Sequence, residues 1–220
     1  MTEKQWLTAK SPDSLIDLCR DRRKLRLLAC ACARRMLAAL PGDPAFEAII
    51  DAAETYADNA ATRPLAVAAR KPLRDAAKRL KDAKKPEPLA KAVFILTDLT
   101  NDVIEGFTAG IANSSWALGH PNAVAKTNVR EEKAVQALLL RDIFGNLFRP
   151  VEFDPEWRTS TAVDLAHTAY NARHFGALPI LADALQDAGC EDDAILRHCR
   201  DEKQVHVRGC WVVDLVLGKS

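Results

Sequence analysis

Apolar positions along this 220-residue chain recur at three- and four-residue steps, the period of a helix that buries one stripe. Nowhere do they alternate one-in-two for more than a few residues, as a half-buried strand requires. Between residues 22 and 40 the stripe is Leu25, Leu28, Ala29, Cys32, Met36, Ala39 and Leu40, stopped by Pro41-Gly42. Similar stripes predict helices over 12–20, 44–59, 62–84, 88–118, 131–144, 161–174, 178–188 and 192–200, after a short first turn with Trp6 and Leu7. An N-capping side chain followed by proline marks three starts, at Ser11-Pro12, Asp43-Pro44 and Asp154-Pro155, because proline is tolerated where the first N–H groups have no helical partner. Pro72 falls inside the 62–84 pattern and is expected to kink or divide that helix. The expected fold is all-α, a bundle-like domain of about eight to ten helices.

Two stretches break the period. Residues 145–160 carry Leu147, Phe148, Val151, Phe153 and Trp157 between turn formers, too apolar for a solvated linker, and should lie across the helices as an irregular packed strap after a left-handed cap at Gly145. The closing run Cys210-Trp211-Val212-Val213-Asp214-Leu215-Val216-Leu217 should be the last core element, with His206 and Arg208 at its edge. Lys84-Lys85-Pro86-Glu87-Pro88 reads as a linker, giving a basic helical subdomain at 1–85 and a second at 86–220, packed as one globular unit; Gly119-His120-Pro121-Asn122 reads as a turn. Gly106 and Gly110, four apart, allow a close helix contact or loosen their helix.

Charge alters this picture more than composition does. The net charge of +1 conceals net +6 over residues 20–35 and net +7 over residues 63–91. Those segments offer Arg22, Arg26, Arg34, Arg70, Arg74, Lys78 and Arg79 to a protein partner of acidic character. The 63–91 segment also has the charge density for nucleic acid, but alanines rather than aromatics separate its cations. Residues 178–200 have a helix-turn-helix outline, yet positions 183–202 sum to net −5 and would repel phosphate. Six cysteines without Cys-x-x-Cys spacing or a leader-like start are expected to be reduced and buried in a cytoplasmic protein. No run approaches the ~18 apolar residues of a membrane span, so no membrane partner is expected.

Several segments carry a family likeness: Asp-Arg-Arg-Lys-Leu-Arg-Leu-Leu-Ala-Cys-Ala-Cys-Ala-Arg-Arg at 21–35, Ala-Glu-Thr-Tyr-Ala-Asp at 53–58, Leu-Arg-Asp-Ile-Phe-Gly-Asn-Leu-Phe-Arg-Pro-Val at 140–151, Leu-Pro-Ile-Leu-Ala-Asp-Ala-Leu at 178–185 and His-Val-Arg-Gly-Cys-Trp-Val-Val-Asp-Leu at 206–215. On these the chain resembles a family of uncharacterised bacterial helical proteins of planctomycete type. The resemblance implies a helical fold and no established activity; Leu147 stands where its pattern has proline.

For chemistry, the densest cluster is His198, Cys199, His206 and Cys210, borderline and soft ligands suited to zinc. On a helix His198 and Cys199 diverge by about 100°, and Cys30 and Cys32 by about 200°, so neither pair chelates one ion; His206 and Cys210 do so only if 206–210 is helical. His206, Arg208 and Asp214 form a second candidate group. Asp98, Asp102 and Glu105 share a helix face but lack the Glu-x-x-His pairs of helical carboxylate centres, and read as a solvated acidic face. Gly-x-Ser-x-Gly and glycine-rich phosphate loops do not occur. Sequence alone therefore favours a non-catalytic interaction or regulatory module without a cofactor. A zinc protein or metal-dependent enzyme is the main alternative, and nucleic-acid binding at 63–91 the second.

Overall fold

The computed structural model describes residues 1–37, 42–82, 88–102, 104–119 and 128–219, and among these all regular structure is helical. Twelve α-helices follow in order: α1 (Glu3–Thr8), α2 (Arg22–Leu37), α3 (Pro44–Asp58), α4 (Arg63–Ala68), α5 (Arg70–Asp82), α6 (Pro88–Asp98), α7 (Ile104–Gly119), α8 (Val129–Phe144), α9 (Ser160–Ala172), α10 (Leu178–Asp187), α11 (Asp193–Arg200) and α12 (Trp211–Leu217). Ten of these span seven residues or more, as expected; two of the sequence patterns divide and both ends add short helices. Pro72 accounts for one division. Its ring excludes the carbonyl four residues earlier, that of Ala68, where α4 ends; α5 starts at Arg70 after a one-residue turn. The 88–118 pattern divides at 99–102. Ser11-Pro12 produces a turn and a 3-10 segment, Ile16–Leu18, before Cys19 becomes extended, and Asp154-Pro155 likewise opens only the 3-10 turn Pro155–Trp157.

The helices form two compact units, Ala9–Ala137 and Met1–Thr8 with Leu138–Ser220. Of the linker expected at 84–88, with its boundary at 85/86, residues 84–87 lie outside the described residues and Pro88 opens α6; of the turn expected at 119–122, Gly119 ends α7 and residues 120–122 lie outside the described residues. The helices flanking that linker, α5 and α6, pack on each other inside one unit, so the proline-rich segment does not separate two bodies. Among the described residues no helix is long and apolar enough to cross a membrane.

In the Ala9–Ala137 unit α2 is central, packed on α3, α6 and α7. Its predicted stripe is buried from Leu25 to Met36, Ala39 and Leu40 lying outside the described residues, but so are Leu27, Cys30, Ala31, Ala33 and Arg26, since a helix covered on several sides buries more than one face. Arg26, expected on the solvent face, donates to the carbonyls of Leu99 and Asn101 and to Asp102, and its guanidinium lies 4.0 Å from the Tyr56 ring centre. Arg70 donates to the Thr100 hydroxyl and carbonyl and to Asn101, and Arg63 to Asp102. Arginines from three helices thus satisfy the polar groups exposed where α6 stops before α7. Gly106 and Gly110 lie against Asp98 and Ile95 of α6, with room for an added Cβ at 3.7 and 3.6 Å, ordinary contact distance.

Asp102 is thus exposed, yet paired with its neighbours rather than free in solvent. The Tyr56 hydroxyl donates to it, and this bond, opposed by burial and helped by the charges of Arg63 and Arg26, holds its carboxyl below the usual range. A carboxyl with a lower pKa folded than unfolded contributes stability above its unfolded value of about 3.9 and loses it as pH falls through the folded value. Asp102→Asn should accordingly flatten the acid limb of a plot of urea midpoint against pH, below about pH 4.

In the other unit α9 packs on α10 and α12, and α10 on α11. Ala162, Ala166, Tyr170, Leu181, Leu185, Ile195, Val212, Val213 and Val216 fill its core. Capping is local and legible: Thr159 accepts from Ala162 N–H, and Asp192 from the N–H groups of Ala194 and Ile195. The closing run is indeed core, with Cys210, Val212 and Val213 fully buried and Trp211 and Leu217 half-buried against the cluster. The 145–160 strap packs through Val151, Phe153 and Trp157, but Leu147 and Phe148 remain about two-fifths exposed. Trp6 of α1 is fully buried and donates its indole N–H to the Gly145 carbonyl. All six cysteines are buried and none is disulfide-bonded.

Candidate metal centre

Four side chains from separate parts of the Leu138–Ser220 unit converge. Asp142 lies in the last turn of α8, on the face that also buries Leu139 and Ile143. Gly145, at φ +67°, ends that helix beneath the Trp211 ring, where an added Cβ would sit 3.2 Å from the indole. His198 occupies the last turn of α11, one turn beyond buried Ile195. The chain from Asp201 to Gly209 has no helix; a turn at Gly209 (φ +94°) lets the N–H of Cys210 reach the Val207 carbonyl and delivers Cys210 to the start of α12.

The ligating atoms are in mutual contact range. His206 Nδ1 stands 2.7 Å from Asp142 Oδ1, His198 Nε2 3.2 Å from the same oxygen and 3.1 Å from Cys210 Sγ, and that sulfur 3.9 Å from His206 Nδ1. All four atoms lie within 4.8 Å of one another. Zinc bonds of about 2.0–2.3 Å in a tetrahedron place neighbouring ligand atoms roughly 3.3–3.8 Å apart, and the observed separations bracket that range. The second carboxylate oxygen accepts the Val207 N–H at 2.9 Å, which fixes the orientation of Oδ1. The His198 ring meets that of His206 edge to face and that of Trp211 at a tilt, centroids 4.9 and 5.0 Å away.

The side chains of Asp142, His206 and His198 are 0%, 7% and 9% exposed, and Cys210 is fully buried. Burial raises the Asp142 carboxyl, but hydrogen bonding to His198 and His206 outweighs it and holds that group below the usual carboxylate range. Burial, then the Asp142 charge, push the Cys210 thiol well above its ordinary value. A dication placed among the four atoms reverses that sign, because a coordinated thiol is deprotonated.

The sequence-predicted residues separate accordingly. His198, His206 and Cys210 come together, although 206–210 is a turn rather than a helix. Cys199 is not among the converging ligands; it is a core thiol whose pKa is pushed up to about 12 by burial first and the Asp142 charge second. Of the group His206, Arg208 and Asp214, only His206 contributes: the Arg208 guanidinium lies over the Tyr170 ring at 4.6 Å, and Asp214 is buried along α12. Cys30 and Cys32 are core residues of α2. Asp142 escaped sequence reading; its signal was a carboxylate between Leu139-Leu140 and Ile143-Phe144, in a turn with no other acid.

The partner-binding arginines also divide. Arg26 and Arg70 serve the 99–102 break, Arg34 pairs with Asp51 and Glu54, and Arg79 pairs with Asp43. These four neutralise or cap groups of their own chain, because buried and half-buried carboxylates and carbonyls there require donors. Arg22, Arg74 and Lys78 remain exposed. No family model, no curated protein and no solved structure matches the chain, and the chemistry of the centre is therefore read from its own four side chains.

Proposed function

We propose that this chain is a metal-binding protein whose Leu138–Ser220 unit holds one zinc-type ion through Asp142 Oδ1, His198 Nε2, His206 Nδ1 and Cys210 Sγ. The observation that supports it is the convergence of these four lone-pair-bearing atoms within 4.8 Å of one another, on side chains that are buried or nearly so. Two imidazoles, a thiolate and a carboxylate are a borderline set that suits zinc better than magnesium or calcium, which take all-oxygen shells. Four protein ligands fill a tetrahedral coordination sphere and leave no position for water. This supports a structural, non-catalytic ion, since catalytic zinc keeps an open position. The ion joins the end of α8, the end of α11 and the turn before α12.

The test is elemental analysis of the chain after purification without added chelator. About one zinc per chain is expected, retained in Cys199→Ser and lost in Cys210→Ser and His206→Ala. Cobalt(II) substitution should give a thiolate charge-transfer band that Cys210→Ser removes. Metal-free protein that takes up no zinc or cobalt would sink the reading.

A further inference from the structure

Beside the metal centre a groove of about 370 Å³ opens to solvent, and His206 is part of its lining. Phe175 and Pro179 supply apolar lining, while Asp201, Glu202 and Gln204 supply polar lining; among the described residues no lysine or arginine lines it. The Asp201 and Glu202 residues are exposed. The nearest cations in sequence on α11 are already committed, Arg197 to Asp193 and Arg200 to Asp183. Lys203 is exposed but is not part of the lining. Next in sequence to the lining residues, Ile180 is 59% exposed and Val205 40% exposed, large aliphatic side chains left without cover. Apolar surface beside unneutralised carboxylates is complementary to a side chain with an aliphatic stem and a cationic head.

We infer that this groove docks a segment of a protein partner that presents a lysine or arginine between aliphatic residues. The cationic head meets Asp201 and Glu202, the stem lies along Phe175 and Pro179, and the flanking aliphatic groups cover Ile180 and Val205. The volume suits one long side chain with its neighbours and is at the small end of ligand pockets. The inference rests on the proposed metal centre in one respect. The wall that carries Asp201, Glu202 and Gln204 is a helix-free stretch between the ligands His198 and His206, so the ion would pin both of its ends. The partner is thus basic, opposite in charge to the acidic partner that the N-terminal arginines suggest from sequence.

The test uses the full chain saturated with zinc, a fluorescein-labelled peptide Gly-Leu-Leu-Arg-Leu-Leu-Gly, and the same peptide with Glu in place of Arg, followed by fluorescence anisotropy. The Arg peptide should bind at least about tenfold more tightly, with affinity falling as salt rises. Asp201→Lys with Glu202→Lys should abolish that preference while the zinc content stays unchanged. Equal binding of the two peptides, or binding of neither to zinc-loaded protein, overturns the inference. Displacement of the peptide by butylamine at equal concentration also overturns it, by making the occupant a free amine. If the chain takes up no zinc, the metal reading fails by itself, and the peptide comparison on that same protein still decides the groove.

Discussion

Stripping the metal from the chain should lower its thermal midpoint by about 10 °C, and restoring zinc should bring it back. A ligand that binds only the folded state at a thousand times its dissociation constant stabilises by about 4 kcal/mol, and a chain of this size moves by roughly 2–4 °C per kcal/mol. The four side chains of the proposed site differ in what else they contact, so their substitutions should not be equivalent. Asp142→Ala removes a ligand and also leaves the Val207 N–H without its acceptor, whereas Asp142→Asn loses the ligand, its NH2 standing in place of Oδ1, but keeps an oxygen for that N–H. Asp142→Ala should therefore be less stable than Asp142→Asn even after the metal is removed from both. Cys210→Ser should match the chelated wild type closely, because the hydroxyl fills similar space but does not become an anionic ligand. Calorimetry with and without chelator checks all of these. Identical melting of wild type in zinc and in chelator would count against the ion's structural role.

Arg26→Ala should destabilise the protein by about 3 kcal/mol or more, the range for breaking a buried, hydrogen-bonded charge. Arg26 is 6% exposed and supplies donors to two backbone carbonyls, Leu99 and Asn101, at the one place where α6 and α7 are not continuous. Its guanidinium also covers the Tyr56 and Phe107 rings, 4.0 and 4.9 Å from their centres. Asp102 would keep Tyr56 and Arg63, so the loss falls mainly on the carbonyls and the stacked rings. Arg26→Lys should recover less than half, since an ammonium cannot reach both carbonyls in one plane or stack flat on an aromatic ring. By contrast Arg74→Ala, on the exposed face of α5, should change stability within about 0.5 kcal/mol. A urea midpoint for Arg26→Ala equal to that of Arg74→Ala would refute the clasp.

What could be foreseen follows from how far each signal reaches along the chain. Helix type, most boundaries, the cap at Asp43 and the left-handed stop at Gly145 depend on residues within a turn or two, and these were legible. The division at 99–102 was not, because Leu99-Thr100-Asn101-Asp102 contains no proline or glycine; it is held by arginines 30 to 76 positions away. Those arginines misled for the same reason, since a cation on a helix looks solvated until the carbonyls it serves are located. Within the centre, three ligands stand close together near the end of the sequence and attract notice. Asp142 lies in another helix, and only the packing of that helix brings its carboxylate to them.

That separation has a consequence for the unfolded chain. Of the four ligands, His198, His206 and Cys210 are near neighbours, and can capture an ion while the polypeptide is still expanded. Closing the long stretch from Asp142 to His198 is the step that costs freedom, and a permanent tie across a loop of that length would remove about 4 kcal/mol of chain entropy from the unfolded ensemble. Zinc present from the start should therefore speed refolding as well as slow unfolding, with the ion acting as an early chelate of the last three ligands and as a cross-link once Asp142 arrives.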